Sequence, residues 1–104
     1  MRDLTTVRED NIFFRRWLID SKIVRVSAEV KRLEKATLKF LFEKIALSDV
    51  ASGSEASTGE VTHDEEVYYW AIEYFDGKKE NSANPYSNPV RRSLRVWRRG
   101  EVFR

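Results

Sequence analysis

Five arginines and a tryptophan crowd one stretch near the end of the chain: Arg91, Arg92, Arg95, Trp97, Arg98 and Arg99. Residues 91–104 hold six Arg and no Lys. A guanidinium group is planar, stays charged and presents a fork of donors that fits phosphate or carboxylate two bonds at a time, and its face stacks on aromatic rings. With Trp97 and Phe103 interleaved, the segment suits contact with the phosphates of DNA or RNA, Trp97 either anchoring the element or stacking on a base. An acidic protein partner would satisfy the same groups. So would carboxylates of the chain itself, because a charge block does not by its composition select among them.

The chain supplies such carboxylates. Its net charge of +2 conceals three blocks: residues 1–47 carry 11 basic and 7 acidic side chains, residues 48–77 carry 8 acidic and no Lys or Arg, and residues 78–104 carry 8 basic and 2 acidic. Pairing between blocks, or a basic surface offered to an acidic partner, is the expected use of this layout.

Other reactive groupings are sparse. His63, Asp64 and Glu66 could act as hard-metal ligands, His63 and Glu66 having the i,i+3 spacing of carboxylate-metal bundles, but His63 is the one histidine and a closed site needs about four ligands. A Ser–His pair through His63 lacks a nucleophile-elbow motif. Gly53, Gly59, Gly77 and Gly100 do not make a phosphate-binding glycine loop. There is no cysteine for a disulfide, a thiolate metal site or a nucleophile. The expectation is a binding protein without cofactor, metal or catalytic residues.

With 104 residues, 41% of them hydrophobic, and six Phe, four Tyr and three Trp, the chain has material for one core in one domain. No apolar leader core follows Met1–Thr6, and the uncharged apolar runs are only a few residues long. A cytoplasmic or otherwise intracellular protein, without membrane contact, is therefore expected.

The elements that position the arginines read as helices. No Gly or Pro precedes Gly53, and those residues punctuate structure most strongly. Ile12, Ile19, Val26, Leu33, Phe40 and Leu47 recur at every seventh position. They suggest an oligomer seam and a homodimer, although the companion column at i+4 is apolar only in its middle. Unbroken, residues 10–47 would make a rod about 55–60 Å long; a break near Asp20–Ser21 would give an antiparallel pair instead. Ser27 can cap the 27–47 half, with Glu29 in its first turn. The Lys31/Glu34 and Lys39/Glu43 pairs can support its exposed side. Lys22–Val26 alternates and is β-branched, so it also reads as a short strand. Residues 48–61 read as a flexible loop.

Thr62 and Glu65 have capping-box spacing. Val67, Trp70, Ala71, Tyr74 and Phe75 follow at helical spacing, and Gly77 suits a C-terminal cap. The rival is a strand, because Tyr68, Trp70, Ile72 and Tyr74 alternate as well. Against it, residues 78–82 offer no apolar partner. Asn88 and Pro89 can start a last helix ending at Gly100, with Val90, Leu94 and Trp97 on one face and Arg91, Arg95 and Arg98 in a row on another.

The expectation is thus an all-α fold: a long or broken N-terminal helix packed on a shorter aromatic helix and a C-terminal Arg-rich helix. The alternative is α+β, with a small antiparallel sheet from residues 67–104 whose strands run over about 67–75 and 92–98 beside the 28–47 helix. The expected function is non-enzymatic binding of nucleic-acid phosphates through Arg91, Arg92, Arg95, Trp97, Arg98 and Arg99. The alternative is an adaptor or oligomeric scaffold gripping an acidic or helical protein.

Overall fold

A computed structural model of the chain describes residues 3–16, 24–48, 54–75, 82–86 and 91–101. Among the described residues three helices and four strands follow one another as α1 (Leu4–Arg16), β1 (Val24–Val26), α2 (Ala28–Lys31), α3 (Lys35–Leu47), β2 (Thr58–His63), β3 (Glu66–Phe75) and β4 (Arg91–Arg98). The strands form one sheet in the order β1-β4-β3-β2, with β1 parallel to β4 and the other neighbours antiparallel. The fold is α+β, so the all-α, helical expectation is overturned and its α+β alternative holds.

Residues 67–75 fit a helical spacing and a strand spacing equally well, and tertiary pairing decides between them. The partner strands come from before and after the segment, and Ser82 adds an isolated bridge to Phe75. β2 pairs with β3 from Thr58↔Ala71 to His63↔Glu66, and β4 pairs with it from Tyr68↔Arg98 to Phe75↔Arg91. Thr58–Val61, expected as the end of a flexible loop, is therefore strand. The capping-box residues become a hairpin. Asp64 and Glu65 form its two-residue turn with φ of 50° and 67°, the pair of positive values that a type I′ turn needs. The expected helix at the chain's end is β4, because alternation places Leu94 and Val96 inside and fills the gap between β1 and β3. Gly77, Asn88 and Pro89 lie outside the described residues.

The N-terminal rod is divided. Ser27 caps as expected, its Oγ accepting from Val30 N at 3.4 Å, with Glu29 in the first turn. The helix it starts is a single turn, however, and the chain resumes helix at Lys35. Lys31 and Glu34 fall on either side of the break, while Lys39 and Glu43 stay together on α3. Asp3 starts α1 by accepting from Thr6 N at 2.8 Å, and that bond holds its carboxyl below the usual range. α1 buries Val7, Asn11 and Arg15, a stripe with i+4 spacing in which two of three members are polar. Val24–Val26 is the short strand that Lys22–Val26 suggested. The expected break near Asp20–Ser21 falls outside the described residues.

All three helices lie on one face of the sheet. Val30 of α2 and Leu41 and Ile45 of α3 share a core with Val61, Tyr68, Trp70, Ile72, Leu94 and Val96, and α1 joins it through Phe14 and through Arg15 above Trp70. Trp70 is wholly buried and lies across β2 at Gly59, where an added Cβ would come within 2.6 Å of the indole. Glycine is required there for close approach, not for its turn conformation. Among the described residues no helix is long and apolar enough to cross a membrane.

Candidate functional site

Because successive side chains of a strand point to opposite faces, β4 divides the arginine cluster. Arg92 and Arg98 point to the helix-covered face, in register with Tyr74 and Tyr68. Arg91, Arg95 and Trp97 point to the other face, and exposed Arg99 stands in the turn after the strand. The single row of arginines expected from a helix does not form.

The covered pair is occupied by the fold. Arg92 Nε donates to Asn11 Oδ1 at 2.7 Å, its guanidinium lies 5.5 Å from the Tyr74 ring, and Asp10 is 3.9 Å away. Asn11, fully buried, donates through Nδ2 to Tyr74 Oη at 2.7 Å and to the Glu55 carbonyl at 2.9 Å. Glu55 in turn accepts from Tyr86 Oη at 2.6 Å, which pushes the Tyr86 phenol up to about 12. Burial raises the Tyr74 phenol as well. At the other end of β4, Arg98 Nε donates to Glu66 at 2.8 Å and its Nη1 lies 3.5 Å from Glu29. The Glu66 hydrogen bond raises the Arg98 pKa. Glu101 ties the same corner by accepting from Arg98 N at 3.2 Å and Glu29 N at 3.0 Å. Pairing of the arginine segment with the acidic middle block, the competitor foreseen from composition, accounts for Arg98 and part of Arg95.

Another arginine is built into the core. Arg15, 2% exposed, lies 4.6 Å above the Trp70 ring and donates through Nη1 to the carbonyls of Ile45 at 2.7 Å and Ser48 at 3.1 Å. These carbonyls stand at the negative end of the α3 dipole, where a cation is favoured. Burial first, then Arg16 and Arg8, lowers its pKa.

The opposite face has a different character. Tyr69 and Trp97 are directly paired across β3 and β4, with ring centroids 5.9 Å apart and planes tilted by 46°. The Arg95 guanidinium lies 5.3 Å from the Trp97 ring, and its Nε is 3.6 Å from Glu73 Oε1. Arg25 of β1 approaches the same oxygen at 3.5 Å. By alternation Phe75, opposite Arg91, extends this surface along β3. The helices pack on the other side, so three aromatic rings, a line of guanidinium groups and the carboxylates of Glu73 and of Glu60, opposite Tyr69 on β2, share a sheet face that no described helix crosses.

Of the residues expected to act, the structure therefore brings together Arg91, Arg95 and Trp97, and separates them from Arg92 and Arg98. Arg25, Tyr69 and Glu73 join the surface and were missed. Each sits between residues that turn inward: Arg25 between Val24 and Val26, Tyr69 between Tyr68 and Trp70, Glu73 between Ile72 and Tyr74. A consistent period of two marks each of them as facing away from the core, and only the sheet order places them on one surface.

The heptad column is dispersed over several elements. Ile12 is on α1, while Val26 on β1 and Leu33 between α2 and α3 pack against the core. Phe40 and Leu47 on α3 are 56% and 76% exposed. Ile19 lies outside the described residues. His63 is held at a corner, stacked on Phe40 at 6.4 Å, with Lys44 Nζ 3.4 Å from Nδ1 and Asp64 3.4 Å from Nε2. Among the described residues no group of three or more His, Cys, Asp or Glu gathers as a metal site.

Comparison of the chain with models of known families, with curated proteins and with solved structures gives no match.

Proposed function

We propose that the protein is a non-enzymatic binding module that takes single-stranded nucleic acid on the open face of its sheet. The observation that carries this reading is the Tyr69–Trp97 pair, flanked on one surface by Arg95, Arg25 and Arg91. Rings on a sheet accept unstacked bases, and guanidinium groups beside them follow the phosphates and add stacking of their own. A flat sheet face of this kind suits separated bases better than a duplex, whose bases are already stacked and whose grooves admit a helix or ribbon.

The test is fluorescence anisotropy of a labelled single-stranded oligonucleotide over a salt series. Binding weakens as salt rises, with a slope of about −0.7 per neutralised phosphate. Tyr69→Ala and Trp97→Ala each cost about 1–3 kcal/mol of binding, and Arg91→Ala flattens the slope. Arg98→Ala leaves the slope unchanged because Arg98 serves the other face. Absence of binding at low salt defeats the proposal.

Exposed Phe40 and Leu47, seven residues apart on α3, favour a second reading as a protein-contact module or homodimer. A molar mass from light scattering that is twice that of the chain, and that falls to the monomer value on Phe40→Glu, would support it.

A further inference from the structure

β2 is an edge of the sheet, and among the described residues no strand pairs with its outer side. The ladder decides which backbone groups face outward. Ile72 N donates to the Ser57 carbonyl at 2.7 Å, and alternate residues of an antiparallel strand turn to the same side. Ser57, Gly59 and Val61 therefore bond towards β3, while Thr58, Glu60 and Thr62 turn their N–H and C=O groups away from the sheet. All three are exposed. Lys44 Nζ donates to the Thr62 carbonyl at 2.8 Å, which agrees with that direction and covers one end of the edge. β2 has no Lys or Pro of its own to blunt the rest. The charge beside the edge is acidic. Of the middle block's carboxylates, Glu55, Glu66 and Glu73 have partners within the fold, whereas Glu60, Asp64 and Glu65 are exposed along β2 and its turn. On the helix side of the edge Phe40, 56% exposed, stacks on His63.

We propose that the β2 edge takes an extended basic peptide segment of a partner protein as an added strand. The inference does not rest on the single-strand reading above. A strand added at an edge gains affinity from main-chain hydrogen bonds and specificity from its alternate side chains. Side chains opposite Thr58, Glu60 and Thr62 stand on the open-face side, where a lysine or arginine meets Glu60. Those between them stand on the helix side, beside Val61 and towards Phe40, where an apolar side chain fits. Opposite charges directly across two strands attract and like charges repel. The same rule disfavours a second copy of the chain as occupant, because the antiparallel register that centres β2 on its own edge sets Glu60 opposite Glu60.

The experiment measures fluorescence anisotropy of three labelled heptapeptides. One alternates lysine with valine, one alternates glutamate with valine, and the third is the lysine peptide with its lysine backbone nitrogens methylated, which keeps the charge and removes the donors the edge needs. The lysine peptide should bind at low salt, with the glutamate peptide about tenfold weaker and the methylated peptide about tenfold weaker as well. Glu60→Lys should weaken the lysine peptide about tenfold and strengthen the glutamate peptide. Thr58→Pro removes an outward N–H without touching the ladder to β3 and should weaken both. Should that variant fail to fold, the methylated peptide on the unaltered protein decides. Equal binding of the lysine peptide and its methylated form overturns the proposal, since charge alone would then attract it. Equal binding of the lysine and glutamate peptides, or of neither, overturns it too. So does a light-scattering mass of twice the chain that falls to the monomer value on Thr58→Pro, which would assign the edge to a second copy. None of these outcomes bears on oligonucleotide binding, so the two proposals fail separately.

Discussion

The two faces of the sheet are built from the same strands and many of the same residue types, yet they use them differently. On the covered face Arg15, Arg92 and Arg98 are held by carbonyls, by Asn11 and by carboxylates, and the rings of Trp70 and Tyr74 lie against guanidinium groups inside the fold. On the open face Arg25 and Arg95 share Glu73, and Trp97 and Tyr69 pack against each other with tilted planes. Strand parity, not composition, decides which sheet face an arginine takes. Arg95 and Arg98 are three residues apart, adjacent on a helix but opposed on a strand.

The sharpest way to break the comparison is to remove a ring from each face. Trp70→Ala opens the core beneath α1 and α3 and should cost about 3–5 kcal/mol in chemical denaturation. Tyr69→Ala and Trp97→Ala should cost far less in the same measurement while carrying the loss of the single-strand binding proposed for that face. Equal stability losses from Trp70 and Trp97 would mean that the second face is also core. Next in size is Asn11→Ala. It leaves Arg92 Nε, the Glu55 carbonyl and Tyr74 Oη without their buried partner, and should cost about 1–3 kcal/mol. Asn11→Asp would distinguish shape from charge, because a carboxylate can still accept from Arg92 but cannot donate to Tyr74 or Glu55.

These two experiments also mark where the sequence was readable and where it was not. Local signals survived: Ser27 caps a helix, residues 35–47 are helical, and Val24–Val26 is a strand. The alternative strands over 67–75 and 92–98 are essentially β3 and β4. What failed was the choice between periods of 3.6 and 2 in segments where both fit, because that choice depends on partner strands distant in sequence. The β2 partner was hidden in small polar residues, Thr58 and Gly59 among them, whose role is to let Trp70 lie across the strand. α1 misled differently. It buries Asn11 and Arg15 and leaves Phe13 66% exposed, so a hydrophobic column picks out the wrong side. Of the candidate site, Arg91, Arg95 and Trp97 were named from composition. Arg25 and Tyr69 could be assigned to the same surface only once the sheet order was known.

A smaller effect, of opposite sign, belongs to the β2–β3 turn that serves both faces. Glu65 adopts φ of 67°, a conformation costing a side-chain-bearing residue roughly 1–2 kcal/mol. Glu65→Gly should therefore stabilise the protein by about 1 kcal/mol, read as a higher denaturation midpoint with an unchanged slope. The same substitution at Glu60, inside β2, should destabilise it. If both variants lose stability, the turn is not of the type I′ form.

The faintest expected effect separates the faces by pH. Tyr86 Oη donates to the Glu55 carboxylate at 2.6 Å, which holds the phenol protonated up to about 12 instead of its ordinary 10. A phenol with a raised folded-state value adds stability that is fully present below pH 10 and is lost as pH climbs through 12, because the unfolded chain releases its proton first. Alkaline titration should thus lower the denaturation midpoint between pH 10 and 12, and Tyr86→Phe should remove that part of the decline. Burial raises the Tyr74 phenol too, so the Tyr86→Phe difference, not the whole slope, is the quantity to read. Glu55 is anchored to the covered side through Asn11, so the loosening should appear at α1 and residues 54–57 and leave Trp97 emission unaltered. A change in Trp97 emission that Tyr86→Phe abolishes would show that the faces are coupled through β3.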